Sequence, residues 1–202
     1  IWAAQDGGFF EKHGLDVTLV YVSSGPKAVA SILAGETPIS IASGEALVRA
    51  RLSGADLVAF AEQTGTFVFS LITLPSVKRP EDLKGKALGV TRFGASTHRG
   101  LLEALKHFGL VPGRDVTVLQ VGGVPEILAS MEGGRIAGGV LSPPTSSLAK
   151  QKGYHELLDI GSLGIPFQQA ALVTREAYIR ERPDVIRAAS KAIVEAIHRV
   201  KW

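Results

Sequence analysis

The stretch ALGVTRFGASTHRGLLEALKHFG, residues 87–109, decides the fold. Ala87 to Thr91 is a short β-rich run, and Gly94 to Thr97 is small and polar. Leu101, Leu102, Leu105 and Phe108 then recur every three or four residues, which predicts a helix from about Thr97 to Phe108 with one apolar face. Gly109 stands where a glycine C-cap ends a helix. A strand that turns through small residues into an amphipathic helix is half of a βαβ unit, so a further strand should follow.

The flanks supply it. Val116 to Val121 reads as a strand, Pro125 to Met131 as a helix with proline in its first turn, Gly138 to Leu141 as a strand and Pro144 to Lys152 as a helix. Toward the N-terminus the same grammar recurs. Ile1 to His13 reads as a helix ended by Gly14, and Asp16 to Val22 as a strand. After a turn at residues 23–26, a helix carries Ala28, Val29, Ile32 and Leu33 on one face. Ile39 to Ala42 and Leu57 to Ala61 read as strands around a helix from Glu45 to Leu52. Strands alternating with helices predict an α/β fold with parallel pairing and crossover helices.

Two strand-like segments interrupt the rhythm, Phe67 to Leu74 and Gln169 to Thr174. They read as crossings between two lobes. Residues 1–66 with 170–202 form the expected lobe I and residues 75–165 lobe II, with hinge crossings at 67–74 and 166–169. A closing helix from Pro183 to Val200 presents Val185, Ile186, Ala189, Ile193 and Val200 near helical spacing.

Composition limits the functions open to such a chain. The 202 residues carry 22 Lys and Arg against 19 Asp and Glu. The basic residues are scattered, in pairs such as Arg49 with Arg51 and Lys150 with Lys152, and form no stripe with interleaved aromatics, so nucleic-acid binding has no footprint. With 0 Cys, disulfides, thiolate metal sites and cysteine nucleophiles are excluded. The five histidines, at 13, 98, 107, 155 and 198, lack metal-ligand spacing. No Gly-x-Ser-x-Gly elbow or phosphate-binding loop is present.

Four motifs in order carry a likeness to a known family. They are Gly8-Phe9-Phe10-Glu11-Lys12-His13-Gly14-Leu15-Asp16-Val17, Ala34-Gly35-Glu36-Thr37-Pro38-Ile39-Ser40-Ile41-Ala42, Pro80-Glu81-Asp82-Leu83-Lys84-Gly85-Lys86 followed by Leu88-Gly89-Val90, and Leu128 to Ala137 with its Gly133-Gly134-Arg135-Ile136-Ala137 end. Together they resemble the solute-binding proteins of nitrate, sulfonate, taurine and thiamine-precursor ABC importers. The resemblance implies the two-lobed type II periplasmic-binding-protein fold, each lobe a mixed sheet flanked by helices, joined by two crossover strands. It also implies a small anionic or polar solute held between the lobes, a membrane permease as partner, no cofactor, a monomer, and a periplasmic or extracellular location with lipid anchoring left open. It implies a strand before Ile1 and helices after Trp202, so the chain is expected to be a fragment.

In open α/β sheets ligands bind outside the carboxyl ends of the strands. The loops there are Ser23-Ser24-Gly25, Ser43-Gly44-Glu45 and Gln63-Thr64 in lobe I, and Arg92 to Thr97, Gly122-Gly123-Val124 and Ser142-Pro143-Pro144 in lobe II. Each is rich in Ser, Thr or Gly just before an expected helix, whose first N–H groups suit an anion. The same residues also serve as ordinary caps and turns. The expected ligand contacts are Trp2, Ser24, Gly25, Ser43, Gly44, Gln63, Thr64, Gly94, Ser96, Thr97, Gly122, Ser142, Pro143 and Phe167, with the start of the Thr97 helix as main anchor and Ser96 as its cap. Trp2 and Phe167 serve equally well as core residues. Glu45 reads best as a first-turn acid favoured by its own helix, and Arg92 and Arg99 as solvated arginines.

Two other functions use the same fold. One is a biosynthetic enzyme like the thiamine-pyrimidine synthases, against which the missing cysteines count; the other is a ligand-sensing domain of a regulator.

Overall fold

The structure, a computed structural model, describes residues 1–201. The side chain of Val200, assigned above to the apolar face of the last helix, lies outside the described residues.

Among the described residues eight strands form two separate sheets. The first has three strands in the order β1-β8-β2: β1 is Ser40–Ala42, β2 is Val58–Thr66 and β8 is Pro166–Thr174. Both outer strands run antiparallel to β8, so this sheet is antiparallel throughout and not the mixed sheet expected. The reason is topological. The chain runs from β1 through a helix to β2 in one direction, and β8 inserts between them on its return.

The second sheet has five strands in the order β5-β4-β6-β3-β7 and is mixed. Here β3 is Ser70–Thr73, β4 is Ala87–Val90, β5 is Thr117–Gln120, β6 is Gly138–Leu141 and β7 is His155–Asp159. Strand β4 is parallel to β5 and β6, while β3 is antiparallel to β6 and β7. The segment Phe67 to Leu74 thus does more than cross, because all four residues of β3 are buried inside this sheet.

Helices cover both faces of each sheet. On the five-stranded sheet, α5 (Ser96–His107) buries Leu101, Ala104 and Leu105 against Leu71, Leu88, Val90 and Val140. On the opposite face α6 (Val124–Glu132) and α7 (Thr145–Gln151) bury Ile127, Leu128, Met131 and Ala149 against Ile72 and Leu141. Val140 and Leu141 are neighbours in β6 yet join different cores, as the period of two requires. The three-stranded sheet meets α3 (Gly25–Leu33) and α4 (Gly44–Leu52) through Ala171 and Val173, and meets α1 (Trp2–Asp6), α2 (Phe9–Lys12) and α9 (Pro183–Lys201) through Leu172. A short α8 (Glu176–Glu181) precedes α9.

Close approach of α6 to its sheet depends on glycine. A Cβ on Gly139 would collide with Ile127 and lie 2.9 Å from the carbonyl oxygen of Gly89.

Local differences from the sequence reading have local causes. The expected helix over residues 1–13 is two helices, because Gly8 adopts φ 67°, which breaks the turn. Asp16 to Val22 is in no assigned strand and has no ladder partner among the described residues, although its side chains alternate between exposed and half-buried from Asp16 to Val20. Strand β7 escaped the sequence reading because only two apolar residues, Leu157 and Leu158, sit between charged ones. No helix among the described residues is long and apolar enough to cross a membrane.

Candidate functional site

The starts of α3, α4 and α5 lie beside one another and beside β8. Ser24 is the N-cap of α3 and is extended, with φ −166° and ψ 155°. Its hydroxyl makes no capping bond; Ser24 Oγ is buried without a partner. Ser43 caps α4, accepting from the Ala46 N–H at 3.5 Å, and is itself buried. These two loops touch, since a Cβ on Gly25 would stand 3.2 Å from Ser43 Oγ. Gly44 lies against β8, where a Cβ would fall 3.0 Å from Gln168 Cβ.

From the five-stranded side, α5 points its first turn at this group. Its N-cap is Ala95, which has no side chain to cap with, so the helix begins one residue earlier than the sequence suggested. Ser96 is therefore not the cap. Its Oγ instead accepts from Gln169 Nε2 of β8 at 3.3 Å, a bond that joins the two sheets. Thr97 is turned inward and 3% exposed. Its Oγ1 accepts from the Thr91 N–H at 3.1 Å and pairs with Thr91 Oγ1 at 2.8 Å, so the expected ligand hydroxyl is committed to the fold. Gly94, at φ 76°, packs under Arg49 of α4, 3.3 Å from Nε to a Cβ position. Tyr21, on the segment between α2 and α3, puts its hydroxyl 3.3 Å from a Cβ position on Gly123, the N-cap of α6.

The charges here are arranged around Glu45. Arg49 donates to Glu45 Oε1 through Nη2 at 2.9 Å and Nε at 3.3 Å, whereas Glu45 Oε2 is buried with no partner. The His98 Nδ1 accepts from the Gly94 N–H at 3.3 Å, which assigns the ring hydrogen of the neutral form to Nε2. Phe93 meets the His98 ring edge-on, with centroids 5.2 Å apart. Burial lowers the His98 pKa below its ordinary value; Glu45 opposes that shift and Arg49 adds to it. A third buried atom without a partner is Gln169 Oε1.

Other expected residues lie elsewhere. Gln63 and Thr64 belong to strand β2, not to a loop, with Thr64 paired to Ala170. Gly122 adopts φ 133° beside Glu126, and its N–H donates to the Thr91 carbonyl at 3.2 Å. Ser142 uses its carbonyl to accept from the Ser146 N–H, and Pro143 is exposed. Phe167 stacks on Phe67 with centroids 4.1 Å apart, so it packs as a core residue at the crossing. Trp2 projects from α1 and is 63% exposed.

Gln169, Arg49 and Tyr21 went unread in the sequence. Gln168 and Gln169 gave a usable signal, two amides inside an otherwise apolar strand. Arg49 and Tyr21 gave none.

Over residues 1–201 the chain matches the family described as NMT1/THI5 like. It belongs to that family. Within it, the chain is 29% identical over 199 residues to the taurine-binding periplasmic protein of Escherichia coli K12, covering 96% of this chain and 60% of that one. It is 25% identical over 202 residues to the putative binding protein YtlA of Bacillus subtilis 168, covering 97% and 60%. The chain therefore spans about three fifths of the length of these relatives. The alkanesulfonate-binding protein SsuA from Xanthomonas axonopodis pv. citri, solved bound to MOPS, superposes with a TM-score of 0.85 at 20% identity, covering 96% of this chain and 68% of that one. This NMT1/THI5-like chain thus has the periplasmic-binding-protein fold.

Proposed function

We propose that the protein binds a small anionic or polar solute, of the sulfonate class, between its two sheets and delivers it to the permease of an ABC importer from the periplasmic or extracellular side. The observation that carries this reading is that the α3 and α4 starts touch, the α5 start bonds β8 and packs on α4, and buried polar atoms of Ser24, Glu45 and Gln169 on these same segments have no partner among the described residues. Buried polar groups are nearly always paired, so an unpaired set on adjoining helix starts and β8 is what a ligand position would offer. Helix starts supply N–H groups suited to an anion. The binding proteins among the relatives support the same role.

On this reading the three-stranded part, residues 1–66 with 170–202, is lobe I and the five-stranded part is lobe II, with the chain crossing near 67–69 and 166–169. Solute closes the lobes by binding the closed form better than the open one. A thermal-shift series with alkanesulfonates, nitrate, bicarbonate and a pyrimidine tests the reading, because a ligand of the native state raises the melting temperature. No shift with any of them, at concentrations up to the millimolar range, refutes it.

A further inference from the structure

We infer that lobe II carries two glycine seats, Gly94 and Gly123, on which Arg49 and Tyr21 of lobe I rest, and that these contacts hold the lobes together independently of any solute. The inference rests on the two-lobe reading above and adds what sets the balance between the open and closed forms.

The two seats are built alike. Gly94 lies one residue before the cap of α5, and Gly123 is the cap of α6. A Cβ on Gly94 would stand 3.3 Å from Arg49 Nε and 3.7 Å from Arg49 Cζ. A Cβ on Gly123 would stand 3.3 Å from the Tyr21 hydroxyl. Each side chain thus reaches into space that only a glycine leaves. Gly123 is buried although it begins a helix.

The arms and the seats are anchored in different cores. Arg49 is on α4, whose Ala46, Leu47 and Ala50 pack around Ala28 and Ala171, and Tyr21 precedes Val22, which packs on the same core. On the other side, Ala95 next to Gly94 is buried, and Ile127, one turn after Gly123, packs under α6 against Ile72. Both contacts therefore cross between the lobes and are lost when the lobes part. Neither arm is there to fill its own core, since Tyr21 is 67% exposed and the Arg49 side chain 65% exposed. Glu45 holds the Arg49 guanidinium from the same helix, so this arm arrives ordered and loses little freedom on docking.

The two glycines differ in one informative way. Gly94 has φ 76°, a backbone that favours glycine whatever lies above it. Gly123 has φ −97° and ψ 176°, which any residue adopts, and Ser, Thr, Asn or Asp are preferred to glycine at such a cap. Its bare Cα answers to the side chains over it, Tyr21 from lobe I and Glu126 from its own helix. Contacts this exposed are weak singly, so they bias a population and do not lock it. Solute then completes a closure that the chain has already favoured, and its apparent affinity rises with the closed fraction.

Interlobe distances measured without added solute test this. The sequence has 0 Cys, so Ala30→Cys on α3 and Ala129→Cys on α6, both exposed positions, take spin labels at those two places alone. Electron–electron double resonance should show a short distance from the closed form beside a longer one. Tyr21→Ala, Arg49→Ala and Gly123→Val should each lower the closed-to-open ratio by roughly two- to fivefold, the size of a solvent-exposed contact. The two arm variants combined should lower it by about the product, because the seats are separate. Gly123→Val puts a β-branched residue on backbone that suits one, and fills the seat without touching lobe I. Tyr21→Ala trims an exposed ring, so its result does not depend on an altered core. A ratio unmoved in Tyr21→Ala and Gly123→Val overturns the Gly123 seat, and one unmoved in Arg49→Ala overturns the Gly94 seat. A distribution with no short distance overturns both, while a thermal shift with a solute in the same protein leaves the binding reading intact. One fixed distance in every sample, solute included, overturns lobe closure itself and the seats with it.

Discussion

Gln169 in the three-stranded sheet donates its side-chain Nε2 to Ser96 Oγ at the first turn of α5, 3.3 Å away, and so ties one sheet to the helix that serves the other. The bond is long and half-buried, so it is weak by itself. Its value lies in holding Gln169, whose buried Oε1 has no partner among the described residues, beside the α5 start. Gln169→Ala should lower stability by about 1 kcal/mol or less, the net worth of one hydrogen bond. It should weaken binding of the solute found by the thermal-shift series by roughly tenfold, because the solute loses a partner that the fold had positioned. Urea unfolding and calorimetry on the same preparation separate the two effects. A loss of stability with unchanged affinity would make Gln169 a structural link only.

Ser96 and Thr97 exchange the roles that their order in the sequence suggests. A serine before a helical run reads as its cap, and the next threonine as a free hydroxyl. The structure makes Ala95 the cap and starts the helix at Ser96, so Ser96 bonds Gln169 and Thr97 turns to the core, where it bonds Thr91. Thr97→Val keeps the shape and deletes that hydroxyl, leaving the buried Thr91 N–H unpaired. The expected loss is about 1–3 kcal/mol. Ser96→Ala should lose much less, under roughly 0.5 kcal/mol, since no capping bond is involved. Denaturant midpoints of the two variants check the order; the reverse order would restore the cap reading.

Periodicity made the framework legible. The 87–109 stretch gave β4 and α5 within a residue or two, because a period of 3.6 in Leu101 and Leu105 and a terminal glycine leave little choice. What was not legible depends on partners distant in sequence. Asp16 to Val22 has the residues of a strand, yet a strand needs a ladder, and no local pattern reports whether one is available. Glu45 looked like a first-turn acid stabilised by its helix. Only the geometry separates its two oxygens, one held by Arg49 and one left unpaired. Side chains that act across two sheets carry no periodic signature, so Tyr21 and Arg49 stayed silent.

Gly139 is a packing position, and its replacement should act through α6. A methyl group there meets Ile127 and the Gly89 carbonyl oxygen, which is backbone and cannot swing away. Gly139→Ala should therefore lose about 1–3 kcal/mol, the usual range for overpacking a dense core. A double variant with Ile127→Val removes part of the clash and should recover some of that loss, a coupling that a thermodynamic cycle measures. Additive losses would mean that the glycine serves β6 alone.

His98 gives the cleft a pH signature whose sign follows from its surroundings. Burial is the largest influence and lowers its pKa from 6.5, Glu45 pulls it up, and Arg49 pushes it down. Nδ1 already accepts from the Gly94 N–H, so protonation there would break that bond as well. The folded protein therefore takes up this proton less readily than the unfolded chain. Stability from His98 is fully present above the unfolded value near 6.5, and is lost as pH falls through the lower folded value. The ring resonances of His98 should titrate with a midpoint below 6.5. Glu45→Gln removes the neighbour that raises this pKa and should move the midpoint lower still. Arg49→Met removes the neighbour that lowers it and should move the midpoint up. Opposite shifts in those two variants tie His98 to the charged pair on α4 across the cleft. A midpoint indifferent to both would mean that His98 is governed by its own helix start, and that α4 lies too far from α5 in solution for Glu45 and His98 to share one ligand.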